Sequence, residues 1–262
     1  MSLTERPSLP GPSWWDTLPL VAGPPDGPVV VGGSPTPSAL IGAYRAGVFP
    51  WPLPPLDESL LAGGTQLAQV LRRRRRAPEL PWWCPDPRAV IPAGTVRASR
   101  SLRRRVRSCG WTTTIDARFA QVVTRCRRTG TEVWITDELR AGYARLHALG
   151  WAHSVEVWDG DELVGGVFGI LVGGVFVGES MFHDHADASK VALLDLDARF
   201  TAAGGRLHDV QLTTDHLRTL GAIEIPRADY LSALRAVRDD DVRLVTDRLP
   251  VARLARPRAE ST

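Results

Sequence analysis

Two short segments carry side chains able to handle protons. Gly178-Glu179-Ser180-Met181-Phe182 places a carboxylate at the end of a glycine-rich strand. Asp209-Val210-Gln211 puts two polar side chains on one face of a second strand, because side chains alternate with period two. His208 and Val210 then face the other way. A polar pair inside an otherwise apolar stretch has two readings: chemistry on a substrate, or a buried hydrogen-bond network that orders the neighbouring loops.

Other templates are missing. The chain has no G-x-S-x-G elbow, no P-loop and no H-E-x-x-H. His183 and His185, with Asp184 and Asp187, sit in a loop without a clear third ligand, so no metal site is expected. Nine tryptophans stand out, among them Trp51, Trp82, Trp83, Trp134, Trp151 and Trp158. Most are expected in the core, while some have the chemistry to stack on unpaired bases, at roughly 1–3 kcal/mol per base.

The formal net charge is only +3, but the cations are clustered. Arg72, Arg73, Arg74, Arg75 and Arg76 are consecutive, and Arg100, Arg103, Arg104, Arg105 and Arg107 form a second group. Such groups attract phosphate backbones or form solvated faces. Cys84, Cys109 and Cys126 are odd in number and widely spaced, which excludes a disulfide framework. The uncharged run from Leu163 to Gly178 holds six glycines, a pattern of turned strands rather than a membrane helix. With no signal-peptide pattern, the expectation is a soluble, reduced, cytoplasmic protein.

The elements that must hold these residues follow from punctuation. The first 35 or so residues are rich in Pro and Gly, with one short strand predicted at Pro28–Val31. Ser38 to Ala46 reads as a helix capped by Ser38 and stopped by Gly47. Residues 53–80, partly helical between Leu56 and Arg76, look like an inserted arm. Helices are predicted at Ser99–Cys109, Ala117–Arg127 and Thr136–Leu149, and a strand at Thr112–Ile115. Strands at Ser154–Trp158, Leu163–Ile170 and Val175–Gly178 form a meander with turns at Asp159-Gly160-Asp161 and Val172-Gly173-Gly174. A helix at Ser189–Ala203, a strand at Leu207–Leu212 and helices at His216–Leu220 and Asp229–Val237 follow, and the charged tail from Asp239 is expected to fray. The pattern is that of an α+β protein.

Several motifs then converge. Ala43-Tyr44-Arg45-Ala46-Gly47-Val48-Phe49-Pro50-Trp51 resembles the AYRxGxFPW signature of the leucyl/phenylalanyl-tRNA–protein transferases. Trp82 to Arg88 is similar to that family's WWSPDPR, and His147 to Trp158 is similar to its form of that segment. Val133-Trp134-Ile135-Thr136, Gly178 to Phe182 and Asp209-Val210-Gln211 also match, in order, from about residue 36 to 235.

The resemblance implies an acetyltransferase-like N-acyltransferase fold over residues 98–240, a small N-terminal domain over 1–97 and a charged tail over 241–262. It implies transfer of Leu or Phe, with Met as a third donor, from aminoacyl-tRNA to proteins beginning with Arg or Lys, which marks them as N-degrons. The donor ester is already activated, so no cofactor or metal is implied. The attacking α-amine has a pKa of roughly 7.7–8.0, and positioning alone can lower such a barrier by about 7–11 kcal/mol.

Carried over residue by residue, Asp209 and Gln211 act on the amine, with Glu179 near the donor or the cationic acceptor. Val167, Met181 and Leu196 line the donor side-chain pocket, beside Gly178 and Ser180. Tyr44, Trp51, Trp134 and Tyr143 lie around the terminal adenosine or the pocket mouth. The arginines at 72–76, 100, 103 and 104 are assigned to tRNA phosphates, and the family precedent is a monomer. Two positions depart from the family pattern: His208 replaces an aliphatic residue and His183 a serine. The alternatives are a CoA-dependent acetyltransferase of the same fold and a non-catalytic tRNA-binding relative. The segment His185 to Ser189 lacks the glycines of a pyrophosphate turn and carries an acid, which disfavours CoA.

Overall fold

A computed structural model describes residues 2–52, 80–127 and 134–255. The expected helix at Leu56–Arg76 and the run Arg72–Arg76 lie outside the described residues. Strand β1 (Pro28–Val31) leads to helix α1 (Pro37–Arg45) and strands β2 (Phe49–Pro50) and β3 (Pro81–Trp83), which form a three-stranded sheet in the order β1-β3-β2. Then follow β4 (Arg88–Pro92), α2 (Arg100–Ser108), β5 (Thr112–Ile115), α3 (Phe119–Cys126) and α4 (Asp137–Ala148). The rest runs β6 (Ala152–Asp159), β7 (Glu162–Val172), β8 (Val175–His183), α5 (Ala188–Ala202), β9 (Leu207–Gln211), α6 (Asp215–Thr219), β10 (Ile223–Ile225), α7 (Arg227–Val237) and β11 (Leu249–Pro250).

Eight strands form one mixed sheet in the order β10-β4-β9-β8-β7-β6-β5-β11. All its pairs are antiparallel except β8 with β9. Strand β4 lies on the N-terminal side of the boundary expected near residue 97, and β11 lies in the tail expected from 241. The sheet is buried on both faces, which explains the nearly continuous apolar run of β7. One face packs on α1, α3, α4 and α7 through residues such as Leu40, Val122, Leu139 and Leu231. The other packs on α2 and α5 through Leu102, Val106, Val191 and Leu196. A Cβ on Gly165 would meet the Cβ of Ala188, so glycine is what lets α5 lie this close to the sheet.

Local chemistry sets most boundaries. Thr36, not Ser38, caps α1, because Pro37 occupies the first helical position and the Thr36 hydroxyl accepts from Ala39 N. Ser99 and Thr136 cap α2 and α4 in the same way. Gly47 and Gly150 take the left-handed conformation just past α1 and α4.

Over the described part of the tail, Asp239 to Ala255, the expectation of fraying is corrected. Leu244 and Val251 are fully buried, and Thr4 N donates to Leu244 O. The cause is Arg199 on α5. Paired with Asp195 at 2.7 Å, it donates to the carbonyls of Val245, Asp247 and Thr113. A buried guanidinium needs several acceptors, and the tail backbone supplies them. Arg227 ties down the Pro-rich start likewise, donating to the carbonyls of Val21, Gly23, Pro24 and Cys84. Among the described residues, no helix is long and apolar enough to cross a membrane.

Candidate active site

Strands β8 and β9 pair in parallel over only three positions, Val175–Val177 with Leu207–Asp209. Beyond them the strands separate. A cavity of about 560 Å³ occupies the gap, lined by Gly178 to Met181 on one side and Asp209 to Leu212 on the other. Each flanking strand carries a bulge at the opening. In β8, Phe168 faces Ser180 while Gly169 faces Gly178, so Glu179 is the extra residue. In β9, Val90 faces Asp209 while Ala89 faces Gln211, so Val210 is the extra one. Bulges re-aim side chains, and here they turn Glu179 and Gln211 toward each other. A Cβ at Gly169 would collide with the Val177 carbonyl oxygen, so the bulge in β8 requires glycine opposite it.

Gln211 sits in the left-handed region at φ +66°. Its Nε2 donates to Glu179 Oε1 at 3.1 Å, and its backbone N–H donates to Asp209 Oδ1 at 2.9 Å. Tyr143 O–H donates to Glu179 Oε2 at 2.8 Å and meets Tyr44 O–H at 3.2 Å. Glu179 is 9% exposed. Burial raises its pKa to about 7; the Tyr143 hydroxyl, with Tyr44 behind it, opposes the rise, Asp209 raises it further and Arg88 lowers it.

Asp209 is fully buried and paired. Arg88 donates to it twice, Nε to Oδ1 at 2.8 Å and Nη2 to Oδ2 at 2.5 Å, and Tyr230 O–H adds a bond at 2.7 Å. The guanidinium lies over the rings of Phe49 and Tyr230, 4.8 and 4.4 Å from their centres. The rest of the wall is mostly apolar, with Val167, Phe176, Met181, Leu193 and Leu196 and the partly exposed Trp51 and Trp134, interrupted by Ser180, His208, Thr214 and His216.

This cleft contains the residues that the sequence motifs singled out. A sequence model of the leucyl/phenylalanyl-tRNA–protein transferases matches residues 90–235. The leucyl/phenylalanyl-tRNA–protein transferase of Nitratidesulfovibrio vulgaris is 40% identical over 232 residues, 86% of this chain and 89% of that protein. The Chromohalobacter salexigens protein of the same name is 45% identical over 213 residues, 80% of this chain and 75% of that protein. The chain belongs to the leucyl/phenylalanyl-tRNA–protein transferase family.

In this family member, Trp51, Trp134, Val167, Gly178, Glu179, Ser180, Met181, Leu196, Asp209 and Gln211 all border the cavity. Tyr44 and Tyr143 do not; they are buried behind Glu179 and reach the site through its carboxylate. Arg100, Arg103 and Arg104 lie exposed on α2, whose opposite side buries Leu102 and Val106. Arg88 and Tyr230 were not expected as site residues. The signal available was indirect: a buried Asp needs a cation, but nothing in the spacing says which of the many arginines supplies it.

Among the described residues, Asp116, His147 and His153 have metal-ligand spacing. Their atoms are spent on each other and on backbone: His153 Nδ1 meets Asp116 Oδ2 at 2.7 Å, and His147 Nδ1 meets Ala152 O at 2.8 Å. The arrangement reads as a brace for the loop after β5. His183 meets Ser189 Oγ at 3.4 Å, and His185 lies 3.7 Å from Asp159 Oδ2.

Proposed function

We propose that the protein transfers leucine or phenylalanine, with methionine as a third donor, from aminoacyl-tRNA to proteins that begin with Arg or Lys. The product would enter N-degron degradation in the cytoplasm. We read the splayed β8–β9 pair as the acetyltransferase-like N-acyltransferase arrangement, working as a monomer without cofactor or metal. One observation carries the reading: the Gln211 amide is clamped across the split by Glu179, beside an apolar cavity with tryptophans at its mouth.

The roles follow from hydrogen-bond capacity. Because Glu179 takes the Nε2 donor, the Gln211 carbonyl oxygen is left to accept an N–H from the attacking amine. Asp209 holds the Gln211 backbone and is held in turn by Arg88, which makes it the anchor of the pair. Val167, Met181 and Leu196 would receive the donor side chain. An apolar pocket discriminates by only about 1–3 kcal/mol per methylene, consistent with a donor set of more than one residue. Trp51, 39% exposed, and Trp134 would stack the terminal adenosine. Arg100, Arg103, Arg104 and the run Arg72–Arg76 would meet tRNA phosphates.

The CoA-dependent reading fits less well. Asp187 stands at the N-terminus of α5, where a pyrophosphate would bind. Its pKa is lowered by hydrogen bonds from Lys190 and Arg105, so it is charged there. The test is transfer of radiolabelled leucine from Leu-tRNA to a peptide beginning with Arg, beside one beginning with Ala. Transfer to the Arg peptide alone is expected. Gln211→Ala is expected to lower turnover about 10²–10³-fold, as loss of one positioned hydrogen-bonding group does. Acetyl transfer from acetyl-CoA without leucine transfer would replace the reading by its competitor.

A further inference from the structure

Besides His208, whose Nε2 is held by Asp197, and His216, which stands exposed on α6, three side chains at the cleft are candidates to take the proton that the acceptor's α-ammonium must lose, and their surroundings separate them. Gln211 has no proton affinity near neutral pH. Asp209 has four donors on two oxygens: Arg88 Nε and Gln211 N on Oδ1, Arg88 Nη2 and Tyr230 O–H on Oδ2. It borders the cavity but is fully buried, and those four donors leave neither oxygen a free lone pair for a substrate. Glu179 has one donor on each oxygen, from Gln211 and Tyr143, and borders the cavity.

Resting on the transfer reaction proposed above, we propose that Glu179 is the proton acceptor for the attacking amine. In that role Tyr143, backed by Tyr44, is a positioning residue that keeps the carboxylate ionised and aimed at the cleft. The step balances as follows. The α-ammonium gives one proton to Glu179. The neutral nitrogen attacks the ester carbonyl carbon and the C–N bond forms. The C–O bond to the ribose breaks, and the second amine proton passes to the departing ribose oxygen. Glu179 returns its proton to water.

The two tyrosines form a chain from the core. Tyr44 and Tyr143 are buried on α1 and α4, and the Tyr143 hydroxyl can donate to only one acceptor, the Glu179 carboxylate. Tyr44 O–H then donates to Tyr143 oxygen, and a chain of such bonds strengthens each member. Among the described residues, the charged groups that act most strongly on Glu179 are Asp209 from β9 and Arg88 from β4, opposed in sign; Gln211 donates to it from the side of the cleft. Burial holds the carboxylate at about 7, where a general base works best at neutral pH.

The experiment is the pH profile of kcat/KM, from about pH 5.5 to 9, for leucine transfer to the Arg peptide. The peptide amine titrates near the same range, but equally for every variant, so differences between profiles belong to the enzyme. Glu179→Gln is expected to lower kcat by about 10²–10⁴-fold. Tyr143→Phe removes a donor to the ionised form, so the acidic limb should move up by roughly one pH unit, whatever the height of its alkaline plateau. Tyr44→Phe should move it less, in the same direction, and carries the test if Tyr143→Phe does not fold. Glu179→Gln with kcat within a few-fold of wild type would overturn the proposal. So would tyrosine variants whose profiles keep the wild-type limb and merely fall at every pH. Wild-type protein inert with both Leu-tRNA and Phe-tRNA would instead sink the reaction on which the proposal rests.

Discussion

Glu179 and Glu156 make an instructive pair. Both sit on inner strands of the sheet, β8 and β6, and burial pushes both to about 7. Their partners differ. Glu156 is fully buried and takes Thr114 Oγ1 and Ser154 Oγ at 2.5 Å each, together with the N–H groups of Ala117 and Arg118 at 3.3 Å. Those two amides open α3, so Glu156 holds the entry of that helix to the sheet. Glu179 takes one donor per oxygen and faces a cavity. A perturbed pKa therefore marks both a structural brace and a candidate base; the count of filled lone pairs tells them apart.

Asp209 extends the comparison, because its partner is a cation rather than neutral donors. Removing that cation is the harshest way to test the difference. Arg88→Met leaves a buried carboxylate without its counter-charge and should destabilise the fold by about 3–5 kcal/mol. Arg88→Met with Asp209→Asn should recover much of this in urea unfolding, since it removes both charges, while transfer activity stays low because Gln211 has lost its anchor. A double variant no more stable than the single one would mean that the pair acts through packing on Phe49 and Tyr230 rather than through charge.

Glu156 gives the next largest effect, visible in stability rather than rate. Its folded pKa of about 7 exceeds the unfolded value of 4.5, so the fold favours its neutral form. That contribution is fully present below the unfolded value and is lost as pH rises through about 7. Urea unfolding of wild type and Glu156→Gln should thus differ least favourably for wild type at high pH, the difference changing by at most about 3 kcal/mol. The acidic limb of the transfer profile should stay where it is. A limb that moved with Glu156 would blur the distinction between brace and base.

Much of this frame was readable in the residues, and the unreadable parts share a cause. The meander showed in its turns, Asp159-Gly160-Asp161 and Val172-Gly173-Gly174, and α2 and α4 showed in Ser99, Thr136 and Gly150, because each signal lies within a few residues of its effect. Period-two alternation placed Asp209 and His208 on opposite faces, as found: Asp209 meets Arg88 and Tyr230, His208 meets Phe200. The bulge at Glu179 was hidden, since one extra residue in a Gly-rich strand leaves the composition unchanged. Val175–Gly178 was therefore too short a reading of β8, which runs to His183. Arg88 and Tyr230 lie 121 and 21 positions from Asp209, and the Arg199 clamp on the tail spans 46 or more. No local pattern encodes such meetings.

The smallest expected effect concerns His208, which borders the apolar end of the cavity with Val167, Phe176, Met181, Leu193 and Leu196. A histidine there suggests a polar contact to the donor side chain. Its Nε2, however, is turned away to Asp197 Oδ1 at 2.9 Å, and its buried Nδ1 has no hydrogen-bond partner among the described residues. Its ring packs 4.9 Å from that of Phe200. His208 thus behaves like Glu156, a polar group spent on the scaffold. Asp197 keeps a bond from Gly94 N at 2.7 Å when the imidazole is removed. His208→Leu should then lower stability by about 1–3 kcal/mol and shift the Leu-to-Phe preference by less than tenfold in a competition between the two charged tRNAs. A larger shift would mean that the ring turns toward the donor when the cavity fills. It would then belong with Glu179, on the working side of the comparison.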